Sequence, residues 1–231
     1  MLTMQGLSVG YGDSQILWDV HLHIPKGRDV CLMGRNWVGK TTLLKSVMGL
    51  LSTQAGNIAF DGQDITRVRP EQRARRGMGY VPQGRGIFPQ LTVWENLSLG
   101  LLAHRGRQGR VPDAALQLFP ALSGLFNRKG AFLSGGQQEQ LAIARALVTE
   151  PKLLLLDEPT EGIQPSIIQE IAEVIARIKA QGQVTILLVE QYLEFAWRLA
   201  DAFYMMEEGA IVAHGEIGEL TEEVVKQYLT V

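Results

Sequence analysis

A glycine-framed run, Gly34-Arg35-Asn36-Trp37-Val38-Gly39-Lys40-Thr41-Thr42, restricts the fold of this chain more than any other stretch. It fits G-x-x-x-x-G-K-[ST], a pattern that works only where a strand delivers the chain into a tight loop and a helix leaves it. Both flanks are present. Residues 29–33 read as a short apolar strand, and Leu43, Leu44, Val47, Met48 and Leu51 recur at helical spacing behind the loop. Inward-pointing backbone N–H groups and the positive end of the helix would hold a triphosphate. Lys40 would reach its β- and γ-phosphates, and the Thr41 hydroxyl would coordinate Mg²⁺.

The remaining pattern predicts an α/β chain. Residues 2–9 and 15–24 read as strands joined by the turn Gly10-Tyr11-Gly12-Asp13. Short strands are predicted at 56–60 and 79–81, the second ending at Pro82-Gln83. A helix is predicted over 92–102, with Thr92 as N-cap and Glu95 completing a capping box. His104 to Pro112, with Arg105, Arg107 and Arg110, reads as a solvated loop, and 113–126 as a helix interrupted by Pro120. Residues 138–147 read as helix, and 153–156 and 184–189 as strands buried on both faces, as in a parallel sheet. Ile167, Ile168, Ile171, Val174, Ile175 and Ile178 form a helical core stripe. The tail, 202–231, reads as two short strands around Glu208-Gly209 and a closing helix. The stretch 84–145 is richer in helix and is expected to form a lobe of its own.

Bulk properties exclude several classes. The chain has 231 residues, enough for one large domain, with 46% hydrophobic and 20% charged residues. A net charge of −2 provides no basic field for nucleic acid. Cys31, the only cysteine, rules out an internal disulfide and reads as a buried strand residue. No run approaches the roughly 20 apolar residues that span a bilayer. The N-terminus lacks the features of a secretory signal. A cytoplasmic protein is expected, reaching a membrane only through partners.

Two further motifs carry chemistry. Leu153-Leu154-Leu155-Leu156-Asp157-Glu158 is an apolar strand ending in two carboxylates, which at a sheet's carboxyl edge would meet the metal and the attacking water. Asp157 would hold Mg²⁺, and Glu158 would polarise the water. Between the phosphate loop and this pair lies Leu133-Ser134-Gly135-Gly136-Gln137, a hydroxyl and bare backbone N–H groups opening a helix.

In this order the three motifs resemble the ATP-binding-cassette (ABC) ATPases, over nearly the whole chain. The resemblance implies a P-loop NTPase fold: a mainly parallel core sheet, an N-terminal antiparallel β subdomain and a helical lobe. The chain would be one cassette domain, 1–231. The ligands implied are ATP and Mg²⁺. Tyr11 falls where cassettes stack an aromatic on adenine. Gln83 matches the Q-loop, which touches Mg²⁺ or water and senses the membrane subunits. Residues 159–164 occupy the D-loop position and Glu190-Gln191 the switch position. Residues 133–137 would complete the site of a second cassette, so the implied partners are another ABC ATPase, two permease subunits and, indirectly, an external solute-binding protein.

Five departures refine this. Gln164 and Gln191 stand where Asp and His are usual; an amide donates a hydrogen bond but takes up no proton. Both look like the second ATPase of branched-chain amino-acid and urea importers, and residues 158–166 and 189–192 look closest to the urea-type member. Trp37 replaces a usual Gly, where a bulky residue adopts the backbone angle at a cost on the order of 1–3 kcal/mol and an indole would crowd the phosphates. Gly86 and Trp94 replace expected acidic residues beside the Q-loop.

Four functions compete. The leading one is the energy-coupling ATPase of an importer. A non-transport cassette predicts tandem cassettes or a long coiled-coil insertion, neither of which is present. A P-loop kinase or GTPase predicts an acceptor lid or Asn-Lys-x-Asp, and the latter is absent. A regulatory cassette that binds ATP without hydrolysing it is favoured by Trp37, Gln164 and Gln191 and opposed by Glu158.

Overall fold

The computed structural model describes residues 1–103, 111–112 and 116–229. The arginine-bearing loop at 104–110 and the start of the expected helix at 113 lie outside the described residues.

Among the described residues the strands form two sheets. The first joins β1 (Leu2–Tyr11), β2 (Ser14–Ile24), β4 (Thr53–Phe60) and β5 (Gln63–Asp64) in the antiparallel order β2-β1-β4-β5. The second contains β3 (Val30–Met33), β6 (Met78–Val81), β7 (Leu153–Asp157), β8 (Thr185–Glu190), β9 (Ala202–Glu207) and β10 (Ala210–Glu216). Its order is β10-β9-β3-β8-β7-β6, parallel throughout except for β10 against β9.

The apolar runs of β3, β7 and β8 are buried on both faces, and alternation distributes their side chains. Cys31, Met33, Leu154, Leu156, Ile186 and Leu188 enter one core with the helices Gly135–Leu147, Pro165–Ala180 and Leu193–Leu199. Val30, Leu32, Leu153, Leu155, Leu187 and Val189 enter a second core with the helix Lys40–Val47 and the antiparallel sheet. Burial raises the Cys31 thiol well above its usual range, so it packs as an apolar residue.

Local signals explain the helix ends. Thr92 and Glu95 form the expected capping box on the helix Val93–Gly100. Helix at 116–117 breaks at 118–119 and resumes at Pro120, which opens the short helix Pro120–Ser123, where its missing N–H costs no bond. The helices Pro70–Arg75 and Leu193–Leu199 have no counterpart in the pattern predicted from sequence. The first is short and charged, and it turns Arg73 inward onto the carbonyls of Thr66, Val68, Ser46 and Val47. No described helix is long and apolar enough to cross a membrane.

Candidate active site

The strand order places the chemistry. β3, β8, β7 and β6 are neighbours, with Met33 level with Glu190, Asp157 with Val189 and Val81 with Leu156. The segments leaving their carboxyl ends therefore converge: the phosphate loop after β3, Gln83 after β6, Glu158 after β7 and Gln191 after β8.

Glu158 is the hub. Its Oε1 lies 3.1 Å from Lys40 Nζ and accepts from Gln191 Nε2 at 2.8 Å; Gln83 Nε2 approaches Oε2 at 3.5 Å. Gln191 also donates to Asn36 Oδ1, and Gln83 to Glu161 Oε2 at 2.9 Å. Glu158 holds φ 50°, a left-handed angle that costs a non-glycine residue energy and persists where its surroundings fix it. Lys40 Nζ further donates to the Gly34 and Arg35 carbonyls, both at 2.7 Å.

Asp157 is buried at the same edge. Its Oδ1 accepts from Thr41 Oγ1 at 3.1 Å and its Oδ2 from Tyr80 OH at 3.2 Å. Desolvation raises its pKa, opposed by those two hydrogen bonds. A hydroxyl and a carboxylate side by side are the hard oxygen donors that Mg²⁺ takes. The donor chemistry fits an Mg²⁺–triphosphate.

A cavity of about 390 Å³ opens over these groups, lined by Tyr11, Asn36, Trp37, Gly39, Lys40, Thr41, Thr42, Gln83 and Glu158 among others. A larger groove of about 970 Å³, beside Arg73, holds none of this chemistry. The loop is built on close approach: a Cβ on Gly34 would strike the Met206 carbonyl, and Val38 O accepts from Gly209 N at 2.9 Å. Trp37 adopts φ 69°, in the left-handed region, but its indole is fully exposed. The expected backbone strain is present. The indole itself is free of packing and stands among the residues that line the cavity.

Residues 133–137 lie elsewhere. Ser134 caps the helix Gly135–Leu147, accepting from Gln137 N while Gln137 Oε1 accepts from Ser134 N at 3.0 Å. None of the five lines the cavity. Sequence reasoning did not single out Tyr80, Glu161 or the roles of Glu190 and Glu139. Glu190 is buried and binds Thr160 N, Thr160 Oγ1, Gln191 N and Tyr192 N, tying the 159–164 segment to the switch. Desolvation raises its pKa against those bonds. Burial pushes Glu139 up to about 7.

The ABC transporter family profile matches residues 17–161, which include the phosphate loop, the 133–137 segment and the acidic pair in order. The chain belongs to the ABC transporter family. The cassette is 40% identical over 215 residues to the high-affinity branched-chain amino acid transport ATP-binding protein BraG of Pseudomonas aeruginosa, covering 93% of this chain and 92% of that protein. It is 37% identical over 225 residues to the probable branched-chain amino acid transport ATP-binding protein LivF of Archaeoglobus fulgidus, covering 96% and 94%. An ATP-binding cassette of an ABC transporter in its ADP conformation matches with a TM-score of 0.81 at 29% identity, over 98% of this chain and 93% of that one. The cassette is an ATP-binding, ATP-hydrolysing subunit of a transporter.

Proposed function

We propose that this cassette powers an importer for urea or branched-chain amino acids from the inner face of the cell membrane. Two cassettes pair head to tail, as one domain each, against two permease subunits. ATP lies between the phosphate loop of one and residues 133–137 of the other. Closing drives the permease and hydrolysis reopens the pair, so nucleotide selects between two states. An external binding protein delivers the solute.

Within each site, Gly34, Arg35, Asn36, Trp37, Val38, Gly39 and Thr42 frame the phosphates and Tyr11 flanks the base. Lys40 turns from the Gly34 and Arg35 carbonyls toward the phosphates. Thr41, Asp157 and Gln83 would hold Mg²⁺, which supplies charge neutralisation when bound. Glu158 polarises the attacking water. Gln191 donates to the γ-phosphate and, being an amide, stays neutral throughout.

The observation that carries this reading is the convergence of Lys40, Gln83 and Gln191 on the Glu158 carboxylate. Glu158→Gln is expected to keep ATP binding and lower turnover by about 10²–10⁴-fold. A variant that hydrolyses ATP at the parent rate would overturn the assignment. The solute is supported by the names of the relatives on one side and by residues 158–166 and 189–192 on the other. Uptake of labelled leucine and labelled urea by cells lacking this cassette tests it. Loss of one identifies the solute, and loss of neither sinks the importer reading.

The rival reading, a cassette that binds ATP but hydrolyses it poorly, draws on the left-handed Trp37. The unmodified chain's turnover, measured against Glu158→Gln, separates the two.

A further inference from the structure

We propose that Arg85 is a positioning residue that couples Gln83 to the 133–137 segment of the same chain, so that ATP in one phosphate loop sets the posture of the signature offered to the partner. This rests on the nucleotide role given to Gln83 above.

The segment after Gln83 is a tight strap. Gly84, Arg85 and Gly86 have φ values of 74°, 73° and 59°, three left-handed residues in succession. Arg85 is the one with a side chain, and a non-glycine residue holds such an angle only where its surroundings over-determine it. The surroundings are the signature helix. Arg85 Nη1 donates to Gln138 Oε1 at 3.1 Å, and Arg85 Nε lies 3.4 Å from Glu139 Oε2. Gln138 Nε2 in turn donates to the Gly130 carbonyl at 3.1 Å and to the Leu133 carbonyl at 3.4 Å. A Cβ built on Gly135 would lie 3.4 Å from Arg85 Nη2, so the guanidinium rests against the start of the helix itself.

A second hook runs the other way. Arg145, from the same helix, donates through Nη2 to the Gly86 carbonyl at 2.8 Å and sits 5.4 Å over the Phe88 ring. The strap is thus fastened to the helix on both sides of its left-handed turn. At its other end, Gln83 touches Glu158 and Glu161. A displacement of Gln83 is therefore transmitted through Arg85 and Gln138 to the Leu133 carbonyl, without crossing solvent.

Glu139 makes the link sensitive. It is 4% exposed, and its Oε1 has no hydrogen-bond partner. Removing Arg85 alone leaves a buried carboxylate unpaired, which destabilises any protein. The test must separate that loss from loss of coupling.

The full chain is followed by hydrogen exchange at residues 133–140, with and without Mg²⁺-ATP, alongside calorimetric ATP affinity. In the unmodified chain ATP is expected to change exchange at these amides. Arg85→Ala is expected to shrink that change about fivefold or more, with affinity held within about twofold. Arg85→Ala combined with Glu139→Gln removes the unpaired charge: it is expected to recover stability while remaining uncoupled. An ATP-dependent change of parental size in either variant overturns the proposal. So does a collapse of affinity, because Arg85 would then serve the nucleotide pocket directly. An unmodified chain that fails to bind ATP overturns the underlying reading first and this one with it.

Discussion

Trp37 shows how one residue departs from its motif without leaving it. The loop needs a left-handed angle at this position, and Trp37 supplies it at φ 69° with its indole fully exposed. Nothing packs against the ring to repay that angle. Glycine takes this angle without cost, and bound phosphates require the loop's N–H groups turned inward, so the strain weighs on holding the binding conformation. If about 1 kcal/mol of it is relieved, Trp37→Gly gains about fivefold in ATP affinity. Calorimetry on the two chains, with turnover measured in parallel, decides this. Equal affinity and equal turnover would refute the cost assigned to the left-handed angle.

At the scale of elements, the helix Gly135–Leu147 is held by contacts no local pattern reveals. A Cβ on Gly136 would overlap Ile167 Cγ2 of the helix Pro165–Ala180. The glycine that reads as part of an anion site is thus also the point where two helices meet. Gly136→Ala should cost about 1–3 kcal/mol, seen as a lower melting temperature with ATP affinity retained. An unchanged melting temperature would show that the helices slide freely.

Glu139, on the same helix, adds a pH dependence. Its folded pKa, pushed up to about 7 by burial, exceeds the ordinary value of 4.5. Folding therefore takes up a proton between these values, and the burden of the buried charge is full above the higher one. Stability relative to Glu139→Gln should rise as pH falls from 8 toward 5, in urea titrations at each pH. A flat difference would mean that Arg85 fully compensates the charge.

Most elements were legible because each carries its own periodicity and caps, as with Thr92 and Glu95. The helix Pro70–Arg75 was missed for a physical reason. A proline is as suited to opening a helix as to breaking one. Arg73 is buried by the carbonyls of Thr66 and Val68, after β5, and of Ser46 and Val47 in the helix Lys40–Val47, an arrangement its local pattern does not announce.

For the molecule as a whole, the candidate site was legible to the extent that its residues sit in short runs. Gly34 to Thr42, Asp157-Glu158 and 133–137 each declare a chemistry alone. What the sequence withheld was the register: Tyr80 reaches Asp157, and Glu190 brackets Thr160, only because β6, β7 and β8 lie side by side. The same topology sets apart residues 133–137, which cap a helix rather than line the cavity of their own chain. A segment with the right chemistry in the wrong place calls for a second chain. Ser134→Arg therefore serves as the test of that arrangement. It removes a cap worth about 1 kcal/mol and inserts a long cation where another cassette's phosphates would approach. A lone chain should bind ATP as before, because its own cavity is untouched. ATP-driven pairing, followed by light scattering in the Glu158→Gln background, should be lost, while Ser134→Thr, which keeps the cap, should retain it. If Ser134→Arg abolished ATP binding by the lone chain, the 133–137 segment would belong to the cavity of its own chain, and the head-to-tail pair would lose its basis.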